Sequence, residues 1–167
     1  SSPAPVPVHT HSRWSPLFSV SRTGHKHALA VIERSYASTD DPVERIRNMV
    51  YDFTKWHGDN SRVGRIVQYE FHALEPEHRK EIAGLRKAIE ECMRRALEAG
   101  IAAKKLQADD IPGTARALLS LGIDVGRWFE PGGPRKAADL AAPYGALALA
   151  VAGAGLASFP QALGTAR

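Results

Sequence analysis

Apolar residues recur along this chain at intervals of three and four, a spacing that places them on one face of an α-helix. The clearest example follows a capping sequence, Thr39 with Asp40 or Asp41, and has Pro42 in its first turn. The helix that this pattern predicts ends near Gly58. Its apolar positions share one face: Val43, Ile46, Met49, Val50, Phe53 and Trp56.

The same spacing predicts further helices in segments 26–37, 61–74, 75–100, 108–129 and 135–153. In the second of these we expect Val63, Ile66 and Val67 to point inward, together with Phe71 or Leu74. In the third, the inward face comprises Ile82, Leu85, Ile89, Cys92, Met93 and Ala96. Pro143 lies inside the last and predicts a kink or a late start there. No segment alternates as a strand does, so we predict an all-α bundle of about six helices.

Three regions follow from the texture of the sequence. Residues 1–25 are rich in Pro and Ser and lack any period, so we predict a disordered leader. Residues 26–153 form one helical domain. Residues 154–167 are rich in Gly and Ala, and we predict a flexible tail.

The helix in segment 108–129 has almost no polar side: its polar stripe is narrow and consists of Arg116, Ser120, Asp124 and Arg127. The last helix, with "YGALALAVAG", carries no charge in that stretch. Since large exposed apolar patches mark interfaces, we predict that two copies pair through these helices about a two-fold axis. The alternative is that both helices form the centre of a monomeric bundle. Candidate interface residues are Leu118, Leu121, Gly122, Val125, Trp128, Tyr144, Leu147 and Val151.

Composition narrows the function classes. The 167 residues are 44% hydrophobic and 24% charged, as in a globular domain, and the single cysteine excludes an internal disulfide. The net charge is +4, but Arg13, Arg22 and Lys26 lie in the first 27 residues without an acid, so no basic face for nucleic acid is evident. The uncharged stretch from Leu140 to Ala166 is mostly Ala and Gly, which argues against a membrane span.

Chemistry-bearing motifs are missing from the sequence. The histidines at 9–11 and 24–27 lack a neighbouring cysteine or well-placed carboxylate, so a solvated tail explains them better than a metal site. No phosphate-binding loop, nucleophile elbow or carboxylate pair is present. We therefore expect a protein that is not an enzyme and that uses neither a cofactor nor a metal.

Two stretches carry a family resemblance. "DIPGTARALLSLGIDVGRWF", a Pro/Gly break and "YGALALAVAG" resemble the last two helices of the effector-binding and dimerisation domain of TetR-family transcriptional regulators. "KHALAVIERSYASTDDPVERIRNMVYDF" resembles the family's connecting helix and the helix after it. The resemblance extends from about Lys26 to Gly153. It implies a cytoplasmic, ligand-sensing repressor that acts as a homodimer.

The resemblance also implies a cavity for a small, mostly apolar effector among the middle helices. Candidate ligand-binding residues are Met49, Phe53, Trp56, Val67, Tyr69, Phe71, Ile89 and Met93, with Tyr69 or His72 as the polar contact. The alternative for any one apolar residue is that it only packs in the core.

Operator DNA is the family's further partner, bound by an N-terminal helix–turn–helix. Upstream of Lys26 this chain has "HTHSRWSPLFSVSRTG", in which no DNA-reading element is recognisable. DNA binding is thus expected only where an intact helix–turn–helix is present. A second hypothesis is a helical interaction module that docks on another protein through its apolar C-terminal helices, without a ligand.

Overall fold

The computed structural model describes residues 16–155, which fold into six α-helices and one short 3₁₀ turn. The helices are α1 (Pro16–Ala37), α2 (Pro42–Asp59), α3 (Ser61–Tyr69), α4 (Pro76–Ala102), α5 (Ile111–Trp128) and α6 (Ala137–Val151), and the turn is Phe71–Ala73. No strand occurs within residues 16–155. The predicted all-α bundle of six helices is confirmed.

Helix α2 is the centre of the bundle and packs against α1, α4, α5 and α6. Asp41 is its N-cap, and the Asp41 carboxylate accepts hydrogen bonds from the backbone N–H groups of Val43 and Glu44, each at 2.9 Å. The face predicted from the spacing is buried at Ile46, Met49, Val50 and Phe53, whereas Val43 and Trp56 are only half-buried.

Glycines let α5 and α6 approach α2 closely. A Cβ atom on Gly122 of α5 would lie 3.0 Å from Phe53 Cδ1 and 3.2 Å from Thr54 Cα. One on Gly145 of α6 would lie 3.0 Å from the Arg47 carbonyl oxygen. These contacts place Gly122 against α2 of its own subunit, which corrects its prediction as an interface residue.

Leu118 and Val125 likewise do not lie at the surface. Both are fully buried: Leu118 in the main core, and Val125 in a smaller cluster with Phe129 and Leu140. Their prediction as interface residues was therefore wrong. One side of the apolar surface of α5 packs in the core of its own subunit, and only another side is exposed.

Helix α1 begins at Pro16, inside the region predicted to be a disordered leader. For residues 16–25 that prediction was wrong, because contacts with α4 hold this half of the helix. Phe18 is buried and stacks on the His78 ring with 3.7 Å between centroids, and Arg22 forms a 2.6 Å ion pair with Glu81. Residues 1–15 lie outside the described residues.

Segment 61–74 divides into α3 and the 3₁₀ turn. Val67 and Leu74 are buried as expected, but Val63 and Ile66 are 44% and 56% exposed, so their predicted inward orientation was wrong. Because α3 is short and lies at the edge of the bundle, part of its apolar face meets open space instead of a core. The predicted α4 face is buried apart from Leu85, which is half-buried.

Helix α6 starts at Ala137, ahead of Pro143, so the late start that the proline suggested does not occur. Its C-terminal end is tied to the loop before α5, since the Gln107 N–H donates to the Ala152 carbonyl at 3.0 Å. Of the predicted tail, Ala154 still packs against the core, and residues 156–167 lie outside the described residues. Within residues 16–155, no helix combines the length and the apolar character needed to cross a bilayer.

A candidate ligand cavity

A cavity of about 760 Å³ lies between α1, α2, α3, α4 and α5. Val20 of α1, Val63 of α3 and Ile123 of α5 all line it and are exposed, so the cavity is open to solvent. Volumes of this size accommodate small organic ligands. Its apolar lining comprises Val20, Ala28, Phe53, Trp56, Val63, Val67, Phe71, Ile89, Leu119 and Ile123.

Helix α5 presents one side to this cavity through Arg116, Leu119, Ser120 and Ile123. These residues recur at intervals of three, one and three and therefore share a face. Much of the stripe that looked polar in the sequence thus borders a cavity. Two apolar residues of α5, Leu119 and Ile123, therefore face the cavity, which explains part of the unusually large apolar surface of this helix.

A chain of hydrogen bonds joins α1 to α4 at the cavity wall. The His25 Nδ1 lies 2.7 Å from the Ser21 carbonyl oxygen, and Arg86 Nε donates to His25 Nε2 at 3.1 Å. His25 is therefore the tautomer that carries its proton on Nδ1 and accepts on Nε2. Burial lowers the pKa of His25, the bond to Ser21 opposes this, and the Arg86 charge lowers the pKa further.

His57 contributes a second imidazole, from the last turn of α2. Its Nδ1 lies 2.8 Å from the Phe53 carbonyl oxygen, which accepts the Nδ1 proton. Burial lowers the pKa of His57 from 6.5 to about 4, with a partial offset from the Phe53 bond, so the ring is neutral at pH 7. The other ring nitrogen, Nε2, has no hydrogen-bond partner among residues 16–155 and is an acceptor for a ligand donor.

The remaining charges of the lining lie on α4 and α5. Arg116 Nη2 is 3.5 Å from Glu90 Oε2, and Arg86 is the third charged residue that lines the cavity. In the part of the chain that the structure describes, no three His, Cys, Asp or Glu side chains group as metal ligands. His25 and His27 line the cavity instead of belonging to a solvated tail, and the histidines at 9–11 fall outside the described range.

The structure separates the predicted ligand-binding residues into two sets. Phe53, Trp56, Val67, Phe71 and Ile89 line the cavity, as does His72. Met49 and Met93 do not line it but are fully buried in the core, and Tyr69 is 70% exposed. The prediction that these three residues line the cavity was wrong. For Met49 and Met93 the reason is that apolar residues at helical spacing can face either a packed core or a cavity wall.

Sequence reasoning missed His25, His57 and Arg86. A signal existed for the first: Phe18, Ser21, His25, Ala28 and Ile32 recur at intervals of three and four, which continues the α1 face back to Pro16. Buried Ser21 disguised that face as polar. For Arg86, on the charged side of α4, no signal separates it from its neighbours.

The predicted interface residues that remain at the surface lie on α5 and α6, and we call this set the α5/α6 face: Leu121, Trp128, Tyr144, Leu147 and Val151. Trp128, Leu147 and Val151 are 44%, 54% and 46% exposed, and Leu121 and Tyr144 are half-buried. On α6, the exposed positions from Ala142 to Val151 recur at intervals of three and four without a charge. Such a patch is unusual on a monomer surface.

Comparisons with known proteins agree with this architecture. Residues 39–152 match the family model described as the tetracyclin repressor-like C-terminal domain. A TetR-family regulatory protein from Rhodococcus RHA1 is 35% identical, with 88% of this chain and 77% of that chain covered and a TM-score of 0.80. The TetR-family regulator PfmR from Thermus thermophilus is 28% identical, with 80% of this chain and 73% of that chain covered and a TM-score of 0.75.

A third structure shares the fold alone. It is that of AibR in complex with isovaleryl coenzyme A and operator DNA, at 18% identity, with 78% of this chain and 71% of that chain covered and a TM-score of 0.61. Comparison with curated protein sequences gives no significant match.

Proposed function

The chain belongs to the TetR family of transcriptional regulators, and from this premise we propose that its helical domain senses a small, mostly apolar effector in the cavity. The observation that carries the proposal is the cavity itself, about 760 Å³ with a largely apolar lining and a few convergent polar groups. AibR, a neighbour in fold, has been captured with an acyl coenzyme A and operator DNA. The family is one of regulators, which supports a role that is not enzymatic.

Sensing requires that the effector favour one conformation over another. Helix α1 lines the cavity with Val20, Gly24, His25 and Ala28, and it resembles the family's connecting helix. An effector that makes better contacts with α1 in one conformation of the protein favours that conformation. The resulting movement of α1 would be passed to a DNA-binding unit connected to it. We propose operator DNA as a partner where an intact helix–turn–helix is present, and accordingly a cytoplasmic location.

The second partner that we propose is another copy of this chain. The α5/α6 face presents exposed apolar residues on two helices that follow one another in the chain, and a two-fold interface would pair the same residues of both copies. The small residues Ala142, Ala146 and Ala150 lie among its exposed α6 positions, which favours close approach of two backbones. The alternative, docking of a different protein on this face without a ligand, predicts a monomer in isolation.

Gly24→Leu tests the effector cavity directly. Gly24 lines the cavity, and a Cβ atom there meets nothing within 4 Å, so we expect a leucine side chain at this position to take up space that a ligand would occupy. Gly84→Leu, at an equally open position on α4 that does not line the cavity, is the matched control. Both variants should fold at least as stably as the wild type, because each removes a helical glycine.

The measurement is thermal unfolding of the three proteins with a graded series of aliphatic and aromatic alcohols and acids. We expect compounds that raise the melting temperature of the wild type and of Gly84→Leu but leave Gly24→Leu unchanged. Equal stabilisation of Gly24→Leu, or no stabilisation of the wild type by any compound, contradicts an effector cavity.

A further inference from the structure

The charges that line the cavity do not cancel. Arg116 has Glu90 as its partner, with 3.5 Å between Nη2 and Oε2. Arg86 has no ion-pair partner among residues 16–155, and no other acidic residue lines the cavity. The lining therefore holds two guanidinium groups and one carboxylate, and the guanidinium without a partner is that of Arg86.

Two contacts hold Arg86 in place and leave donors free. Its Nε donates to His25 Nε2 at 3.1 Å, and its guanidinium carbon lies 4.2 Å from the centroid of the Phe71 ring. Because the His25 Nδ1–H donates a hydrogen bond to the Ser21 carbonyl, the Nε2 lone pair faces Arg86 and accepts a hydrogen bond from it. This bond holds the guanidinium in position. The Nη1 and Nη2 groups have no protein acceptor in the described range, and N–H groups in this fork match a carboxylate.

Apolar residues of the cavity wall lie next to Arg86. Phe71 packs beneath the guanidinium, and Ile89 lies one turn further along α4 on the cavity wall. Arg86 itself is exposed, so an ion pair formed here is screened by solvent, and apolar contacts of the ligand with the cavity wall add to its binding. A ligand that reaches Arg86 from the cavity places the rest of its body against Phe53, Trp56 and Leu119.

We propose that the effector is an apolar organic acid: its carboxylate pairs with Arg86, and its apolar body fills the cavity. This inference rests on the proposed function, since it assigns the chemistry of the ligand that the cavity takes. His25 acts as a positioning residue, which aims the guanidinium. The Nε2 acceptor of His57 is a further polar contact for a ligand that also carries a hydroxyl or amide donor.

The test uses two probes that share a body and differ in charge, decanoate and 1-decanol, titrated calorimetrically into the full chain at pH 7.5. Decanoate is expected to bind the wild type about tenfold more tightly than decanol, the effect of a hydrogen-bonded charge pair. Arg86→Gln should weaken decanoate about tenfold and leave decanol unchanged. Lys87→Gln, next to Arg86 on α4 but outside the cavity lining, is the matched control and should change neither.

The outcomes separate this inference from the proposed function. Equal affinity of the wild type for both probes, or an undiminished preference for decanoate in Arg86→Gln, overturns the anionic effector but leaves the cavity standing. If Lys87→Gln also loses the preference for decanoate, the preference arises from the overall positive charge of the surface and not from Arg86, and the inference is overturned. Binding of neither probe to the wild type, or unchanged binding of both to Gly24→Leu, overturns the cavity as an effector site and this inference with it.

Discussion

The neutral His57, which is half-buried at the end of α2, makes the stability of the domain depend on pH in a calculable way. Its pKa is about 4 in the folded chain and 6.5 when the chain unfolds. Between these values the unfolded state binds more protons, so the free energy of unfolding falls as the pH falls. Well above pH 6.5 the ring is neutral in both states, and the contribution of His57 is constant.

The size of the effect follows from the two pKa values. One pKa unit corresponds to about 1.36 kcal/mol, so the full loss below pH 4 is about 3 kcal/mol. Between pH 7.5 and pH 5 the loss is about 2 kcal/mol, which is measurable before most carboxylates titrate. His25, whose pKa is also lowered by burial, adds a loss of the same sign.

Urea unfolding at fixed protein concentration, repeated from pH 7.5 to pH 5, measures this dependence. The variant His57→Gln keeps a donor for the Phe53 carbonyl but has no titrating group there. We expect the wild type to lose about 2 kcal/mol more than His57→Gln over this range, whatever the absolute stability of the variant. Equal losses in both proteins, or an NMR titration of the His57 ring near pH 6.5, would refute the reasoning.

Three further substitutions test the packing, the interface and a cap. Gly122→Ala should destabilise the fold by about 1–2 kcal/mol in urea unfolding, because its Cβ meets α2, whereas Gly84→Ala should stabilise it; equal effects would contradict this. Leu147→Glu should yield monomers in analytical ultracentrifugation, whereas Ile66→Glu, equally exposed on α3, should not. Asp41→Ala should cost about 1 kcal/mol in urea unfolding through loss of the α2 cap, and no change would remove that role.

Helix α2 was predictable because local and tertiary demands on it agree. A capping aspartate, an N-terminal proline and an unbroken apolar face all point to the same element. The same agreement fixed the starts of α4 and α5, each with a proline in its first turn. Periodicity is sufficient to predict a helix whose buried face consists only of apolar residues, as in α2.

The first half of α1 and the apolar side of α3 were not predictable for opposite reasons. In α1, the buried face includes Ser21 and Ser35, so the core there looks polar in the sequence. In α3, Val63 and Ile66 look like core residues, but no element covers them. Both errors arise because the periodicity of a helix shows which residues share a face but does not show which element, if any, packs against that face.

The candidate site was predictable only in its apolar half. Phe53, Trp56 and Ile89 lie on faces that the pattern identified, yet Met49 and Met93 on the same faces are fully buried in the core. Whether an apolar residue borders packed atoms or empty space depends on the distance between helices, which the sequence does not encode locally. The polar cluster of His25, His57 and Arg86 forms only where α1, α2 and α4 meet, and the sequence marks only His25 of these three, through the spacing of the α1 face.

Native mass spectrometry of the purified chain tests the central claim, a dimeric effector-binding domain, most directly. We expect a dimer at micromolar concentration that takes up no more than two decanoate molecules, one for each cavity. A dimer of Gly24→Leu should take up none. A monomer that binds no decanoate would contradict both the interface and the cavity.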